Sequence, residues 1–133
     1  MADEATIVRQ LADIAVLYYT STAINVPRGT LMALTGDNTI DTHLDRTQKF
    51  AGIAATQKIA ADGAIPQGVF TRGVFDMTCE GAIVRGNYVG LSATANKIED
   101  LGNAISLTDL DKIIGVALAT GTTDAIINVQ IGR

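Results

Sequence analysis

Two stretches of this chain follow one pattern, and that repeat restricts the fold more than any other feature. Arg28-Gly29 is followed by Leu34 five residues after the glycine, and Arg85-Gly86 is followed by Leu91 at the same offset. Each glycine comes after an apolar stretch, Ile24 to Val26 and Ile83 to Val84. Each half then makes a polar excursion. It returns through Phe50-Ala51-Gly52-Ile53-Ala54 in the first half and Ile113-Ile114-Gly115-Val116-Ala117 in the second. The shared elements are Arg-Gly-x4-Leu, then apolar-x-Gly-apolar-Ala. Each half is read as closing with a further strand, Val69 to Thr78 and Ala125 to Ile131. The simplest physical form is two copies of a strand-turn-strand unit, with glycine supplying the backbone freedom of turns and bulges.

The residues between the glycines favour strands. Thr, Ile and Val number 16, 15 and 9 of 133 residues, and branching at Cβ suits a pleated surface. Ile127, Val129 and Ile131 alternate with Asn128 and Gln130, as do Phe75, Met77 and Cys79 with Asp76 and Thr78. That period of two marks half-buried strands. Gly29, Gly52, Gly73, Gly86 and Gly115 are the expected turn or bulge positions. Asn103 to Lys112 has room for one short helical turn. The halves are too small to be covered by helices. The expected fold is therefore all-β: a small β-barrel or β-sandwich built from two related halves.

At the front of the chain two periodicities compete. Ile7, Leu11, Ile14 and Tyr18 have helical spacing, whereas Ile14 to Thr22 has strand composition. A strand is placed at about Ala15 to Thr22. Residues 1–14 before it are expected to form a loosely held arm, and residues 15–133 a single domain. Such an arm would meet its ordering cost on binding a partner.

Charge and cysteine content exclude several classes. Ten basic against 14 acidic residues give a net charge of -4, opposite to a nucleic-acid binder with a basic face. No apolar run reaches a membrane span. The acidic start, Met1-Ala2-Asp3-Glu4, lacks the basic front of a signal peptide. The expectation is a soluble protein made in a reducing cytoplasm. Cys79 is the single cysteine and His43 the single histidine, so no zinc site can be built from them. Cys79 is read as a core thiol.

Reactive constellations are absent from the sequence. A nucleophilic triad would have to use His43, which sits in the polar excursion Asp37 to Arg46 and reads as a solvated loop histidine. Asp37, Asn38, Asp41 and Asp45 cluster there, but Thr42 stands where a calcium loop needs glycine and Gln48 where it needs glutamate. No phosphate-binding glycine loop appears. Tyr18, Tyr19 and Tyr88 read as packed rims of the barrel. No enzyme, metal or cofactor is expected. Of the three Arg-Gly pairs, at Arg28, Arg72 and Arg85, the first and last are candidates to pair with carboxylates of a partner.

The pattern resembles the capsid cement, or head decoration, proteins of tailed bacteriophages. The matching stretches are Phe50-Ala-Gly-Ile-Ala-Ala, Gly73-Val-Phe-Asp-Met77, Gly81-Ala-Ile-Val-Arg-Gly-Asn-Tyr-Val-Gly90, Ile114-Gly-Val-Ala-Leu-Ala-Thr-Gly121 and the closing strand Ile126 to Ile131. The resemblance covers about Ile14 to the C-terminus. It implies a β-barrel-like domain on the outside of a virion shell, a homo-oligomer with a trimer favoured, clamping neighbouring major capsid subunits after expansion. Membrane and nucleic acid are not expected partners. Under that reading Thr6, Ile7, Val8 and Leu11 of the arm and the turn residues Arg28 and Arg85 contact the capsid lattice. The alternative from another class is a small β-barrel that binds a ligand or glycan. Its need for aromatic walls is poorly met by 5% aromatic residues and no Trp.

Overall fold

A computed structural model describes residues 5–9, 16–20, 24–63, 65–104 and 106–132. The strands are β1 (Thr6–Arg9), β2 (Val16–Thr20), β3 (Leu31–Gly36), β4 (Thr39–Thr42), β5 (Lys49–Ala54), β6 (Pro66–Phe70), β7 (Gly73–Cys79), β8 (Tyr88–Leu91), β9 (Lys97–Gly102), β10 (Ile113–Ala117) and β11 (Ile126–Ile131). The fold is all-β. Its helical parts among the described residues are short 3-10 turns at Ala60–Asp62 and Leu107–Lys112, the second inside the stretch expected to hold one.

The repeat becomes a duplicated topology. β2, β4, β3, β5 and β6 form a closed barrel in that order. β7, β9, β8, β10 and β11 follow the same order, and the additional β7–β9 pairing closes the same ring. In both units the first strand pairs parallel with the third, and every other pairing is antiparallel.

Register agrees to the residue. Met32 lies opposite Gly52, and the next pair, Ala33 with Phe50, skips one residue. Val89 lies opposite Gly115, and the next pair, Gly90 with Ile113, makes the same skip. Each skip is a β-bulge, which bends the strand and tightens the ring. Isolated bridges join Val26 to Lys58 and Ile83 to Gly121.

Equivalent residues fill the two interiors. Val26, Met32, Ile40, Ala54 and Val69 form the core of the first barrel. Ile83, Val89, Ile98, Ala117 and Val129 hold the same places in the second, within a larger cluster containing Phe75, Met77, Leu91, Ile127 and Ile131. Burying each of the Val, Leu, Ile, Met and Phe side chains contributes roughly 1.5–3 kcal/mol. Cys79 is buried in this cluster, and burial pushes its thiol pKa up, so it stays protonated and unreactive. The closing strand alternates as expected, with Ile127, Val129 and Ile131 buried.

Three expectations need correction. The stretch Val69 to Thr78 is not one closing strand. It breaks at Thr71-Arg72 into the end of β6 and most of β7, and β7 opens the second unit. Gly73 sits at the start of β7 with φ 140 rather than inside a longer strand. The polar excursion after Thr35 is not all loop, because β4 runs through it and buries Ile40.

The third correction concerns the arm. Thr6, Ile7 and Val8 belong to β1, which pairs antiparallel with β7 through Thr6–Asp76, Ile7–Phe75 and Arg9–Val74. Leu11 lies outside the described residues. Ala5 is buried, and its N–H donates to the Gly29 carbonyl at 2.6 Å. The segment therefore touches the first barrel at Gly29 and the second along β7. Partners 24 residues away at Gly29 and about half the chain away on β7 supply the hydrogen bonds that no nearby turn provides. A free arm would be removable without effect on unfolding. Deletion of residues 2–13 is instead expected to lower stability by about 2 kcal/mol or more, through lost ladder bonds and exposed apolar surface. Urea unfolding of full-length and truncated protein checks this, and coincident midpoints would refute the staple.

Candidate functional site

The two arginine turns are equivalent in structure as well as sequence. The Gly29 N–H donates to the Ala54 carbonyl at 2.8 Å, and the Gly86 N–H donates to the Ala117 carbonyl at 2.8 Å. Both Arg28 and Arg85 are exposed. Neither has an ion-pair partner within 4 Å among the described residues. Their backbones are fixed while their guanidinium groups face solvent, which is what pairing with an external carboxylate requires.

The scaffolds beneath the turns differ. The Arg28 turn is closed by the Thr30 hydroxyl on the Pro27 carbonyl at 2.7 Å. Gly29, with φ 92, lies directly under the Ala5 carbonyl, so any Cβ there would collide with backbone. The Arg85 turn rests on Asp100. Its carboxylate accepts the Val84 N–H at 3.0 Å, the Asn87 amide at 3.0 Å and the Gly102 N–H at 2.6 Å. Burial alone would raise the Asp100 pKa, but these donors outweigh it and hold the group below the usual carboxylate range. Thr120 Oγ1 accepts the Arg85 N–H at 3.1 Å.

The structure brings Arg28 together with the start of β1. Ala5, Arg28, Gly29, Ile53, Phe70 and Phe75 surround a small pocket of about 220 Å³. Arg85 belongs to the other barrel and is not part of that group. Tyr88, expected as a packed rim, is partly exposed and lines a wider groove of about 420 Å³ with Leu110, Ile113 and Val116. Leu107 and Leu110 project from the 3-10 turn Leu107–Lys112. Lys112 anchors that turn through Glu99 at 3.6 Å and Asp109 at 3.4 Å.

His43 was expected in a solvated loop and is instead fully buried between the barrels. Its Nδ1 accepts the Asn96 N–H at 3.3 Å, so Nε2 carries the proton and donates to the Ser92 carbonyl at 2.8 Å. Asn96 Oδ1 in turn accepts the Leu31 N–H at 3.0 Å. Arg46 reaches Glu99 across the same joint at 3.1 Å. Phe70 and Phe75 stack tilted across it with centroids 5.7 Å apart. Burial pushes the His43 pKa below its ordinary 6.5, against the opposing pull of the Ser92 hydrogen bond, Asp45 and Glu80. His43 is a neutral structural bridge. Sequence reasoning missed it because its charged neighbours Asp45 and Arg46 are exposed while the imidazole alone turns inward.

Lys58 is another unanticipated buried group. Its Nζ donates to the Ile24 carbonyl at 3.0 Å and the Ile59 carbonyl at 3.4 Å. The equivalent position in the second barrel is Gly121, where a Cβ would press on Ile127 and Cys79. Among the described residues no group of three His, Cys, Asp or Glu side chains is arranged to hold a metal.

No family model matches the chain, and no curated protein matches it in sequence. Among solved structures it is similar to the N base of the head fibre gp8.5 of bacteriophage phi29. The TM-score is 0.57 at 15% identity, over 89% of this chain and 94% of that one. What the two share is the fold.

Proposed function

We propose that this chain is a structural protein of a phage head, binding the outside of the assembled capsid and stabilising the expanded shell by clamping neighbouring major capsid subunits. The observation that carries the reading is the fold shared with a phage head fibre base along nearly the whole chain. The sequence resemblance to head decoration proteins points to the same setting. The chain acts by contact rather than by catalysis, is made in the host cytoplasm, and works as a homo-oligomer on the virion. Its exposed arginine turns, one per barrel, meet carboxylates of the shell. A protein that binds only the expanded lattice stabilises that state by mass action.

Co-sedimentation with expanded, undecorated capsids tests this. Saturable binding at a fixed ratio to the capsid subunit is expected, with none on unexpanded shells. Binding to neither form would remove the reading. Arg28→Ala and Arg85→Ala are each expected to weaken capsid affinity about tenfold, one charge-assisted contact being worth about 1.4 kcal/mol. Unchanged affinity in both would move the contact elsewhere.

A further inference from the structure

Segments far apart in sequence meet at the Arg28 turn. Ala5 leads into β1, Ile53 and Ala54 end β5, and Phe70 and Phe75 pack their rings together across the joint between the barrels. With Arg28 and Gly29 they enclose a pocket of about 220 Å³. Ile53 and Phe75 are nearly without exposed surface and form its inner wall, while the partly exposed Phe70 and the exposed Arg28 form its open side. Among the described residues Arg28 is the one charged group lining the pocket, and the other lining groups are apolar. It has no ion-pair partner within 4 Å among those residues.

The second arginine turn has the same backbone without this enclosure. Phe70 pairs with Ile53 as Gln130 pairs with Val116, so the place that Phe70 holds relative to Arg28 is taken by a polar side chain relative to Arg85. The Ala5 carbonyl lies over Gly29, whereas nothing stands within 4 Å of a Cβ at Gly86. The Arg-Gly turn is therefore roofed and backed by apolar groups in the first barrel and open in the second.

An apolar interior with one cation at its mouth is complementary to an apolar group that carries one carboxylate. Apolar cavities of about 150 Å³ admit a benzene-sized group, so this pocket holds one aliphatic side chain rather than a longer segment. The carboxylate and the apolar group must then belong to one residue. An internal Asp or Glu beside an apolar residue does not supply both, because neighbouring side chains of an extended segment point to opposite faces. The last residue of a chain does, since its α-carboxylate and its side chain leave the same carbon.

We propose that the Arg28 pocket captures the C-terminal residue of a partner chain, aliphatic and of leucine size. Its side chain enters between Ile53, Phe70 and Phe75, and its α-carboxylate pairs with the Arg28 guanidinium. The proposal rests on the reading that Arg28 meets a carboxylate of the shell, and narrows that carboxylate to a chain terminus. Arg85, without a pocket, contributes charge alone.

The test is NMR titration of the purified protein with N-acetyl-leucine, N-acetyl-leucinamide and N-acetylglycine, following backbone amide signals. N-acetyl-leucine is expected to give saturable shifts at Gly29, Ile53 and Phe70 and none at Gly86. The leucinamide lacks the charge and the glycine derivative lacks the side chain, so each is expected to bind at least about tenfold more weakly. Arg28→Gln is expected to bring the acid and its amide to equal affinity. Phe70→Gln is expected to remove the preference for leucine over glycine. No saturable shift, equal binding of the acid and its amide, or shifts at Gly86 matching those at Gly29 would overturn the proposal. The comparison of probes on the unaltered protein decides the matter even where Phe70→Gln fails to fold. Probe binding without capsid binding would remove the capsid reading alone, and capsid binding by a protein that ignores the probe would remove this one alone.

Discussion

Gly115→Ala is expected to destabilise the protein by about 3 kcal/mol or more. A Cβ at this position would fall inside the contact radius of the Gln130 carbonyl oxygen, with the Gln130 carbonyl carbon 2.8 Å away. The obstacle is backbone of β11 rather than the end of a flexible side chain. Accommodating the methyl group requires the β10–β11 ladder to part, at the bulge that bends the second barrel. Set against a total stability of roughly 5–15 kcal/mol, that loss threatens folding at physiological temperature. Gly86→Ala is the control. Gly86 also lies in the glycine pattern and has φ 85, but nothing stands within 4 Å of a Cβ there. Its cost is the left-handed backbone alone, about 1 kcal/mol. Denaturant unfolding of both variants measures the difference. Equal losses would mean that close approach of β10 to β11 is not what position 115 demands.

The second large effect centres on His43. In the unfolded chain its imidazole protonates near its ordinary 6.5, whereas burial lowers the pKa in the folded protein. Below pH 6.5 the unfolded state therefore binds more protons than the native state. The His43 contribution is complete above that pH and is lost as pH falls from 6.5 toward the depressed native value, at up to about 1.4 kcal/mol per pH unit. Protonation has a geometric consequence too: Nδ1 already accepts the Asn96 N–H, and a proton placed there would face that donor. The charged groups that favour protonation, Asp45 and Glu80, moderate the loss without reversing its sign. Both carboxylates lie below their usual range, Asp45 through Thr47 and Glu80 through Ser92 and Thr94. They titrate at lower pH, leaving the slope between pH 5 and 6.5 to the chain's single histidine. His43→Gln is expected to cost about 2 kcal/mol at pH 7.5, by leaving the Ser92 or Asn96 group poorly paired in a buried site. It is also expected to flatten the slope. Urea midpoints at pH 7.5, 6.5 and 5.5 check both, and an unchanged slope in the variant would assign the pH dependence to other groups.

Much of the glycine pattern was legible in the sequence because its cause is local: Gly29, Gly52 and Gly86 hold a positive φ that favours glycine. Gly115 does not, and is demanded instead by the backbone of β11 lying against it. Strand membership was less legible. β6 and β7 read as one β-branched run because only Thr71-Arg72 separates them, and nothing local states that the chain changes barrels there. β1 was read as a free arm because its hydrogen-bond partners, Gly29 and β7, are distant in sequence. Arg28 and Arg85 emerge as equivalent exposed turns, as their shared motif implied. Leu34 and Leu91 carry the clearest lesson. They are the same position of the same repeat, yet one is exposed and the other buried, because the β8–β9 hairpin lies at the joint between the barrels and the β3–β4 hairpin does not.

The staple formed by β1 also orders events in time. The segment is synthesised before the first barrel, but the strand it pairs with emerges only after it. The first barrel can close as translation proceeds, from contacts contained within its own strands. β1 must wait for β7, so its docking is a late step with a high loop-closure cost. Until then the β7 edge beside Val74 and Asp76 is unpaired and open to the corresponding segment of another nascent chain. The same strand that joins the two barrels in the finished protein is thus the element most prone to exchange between molecules during assembly.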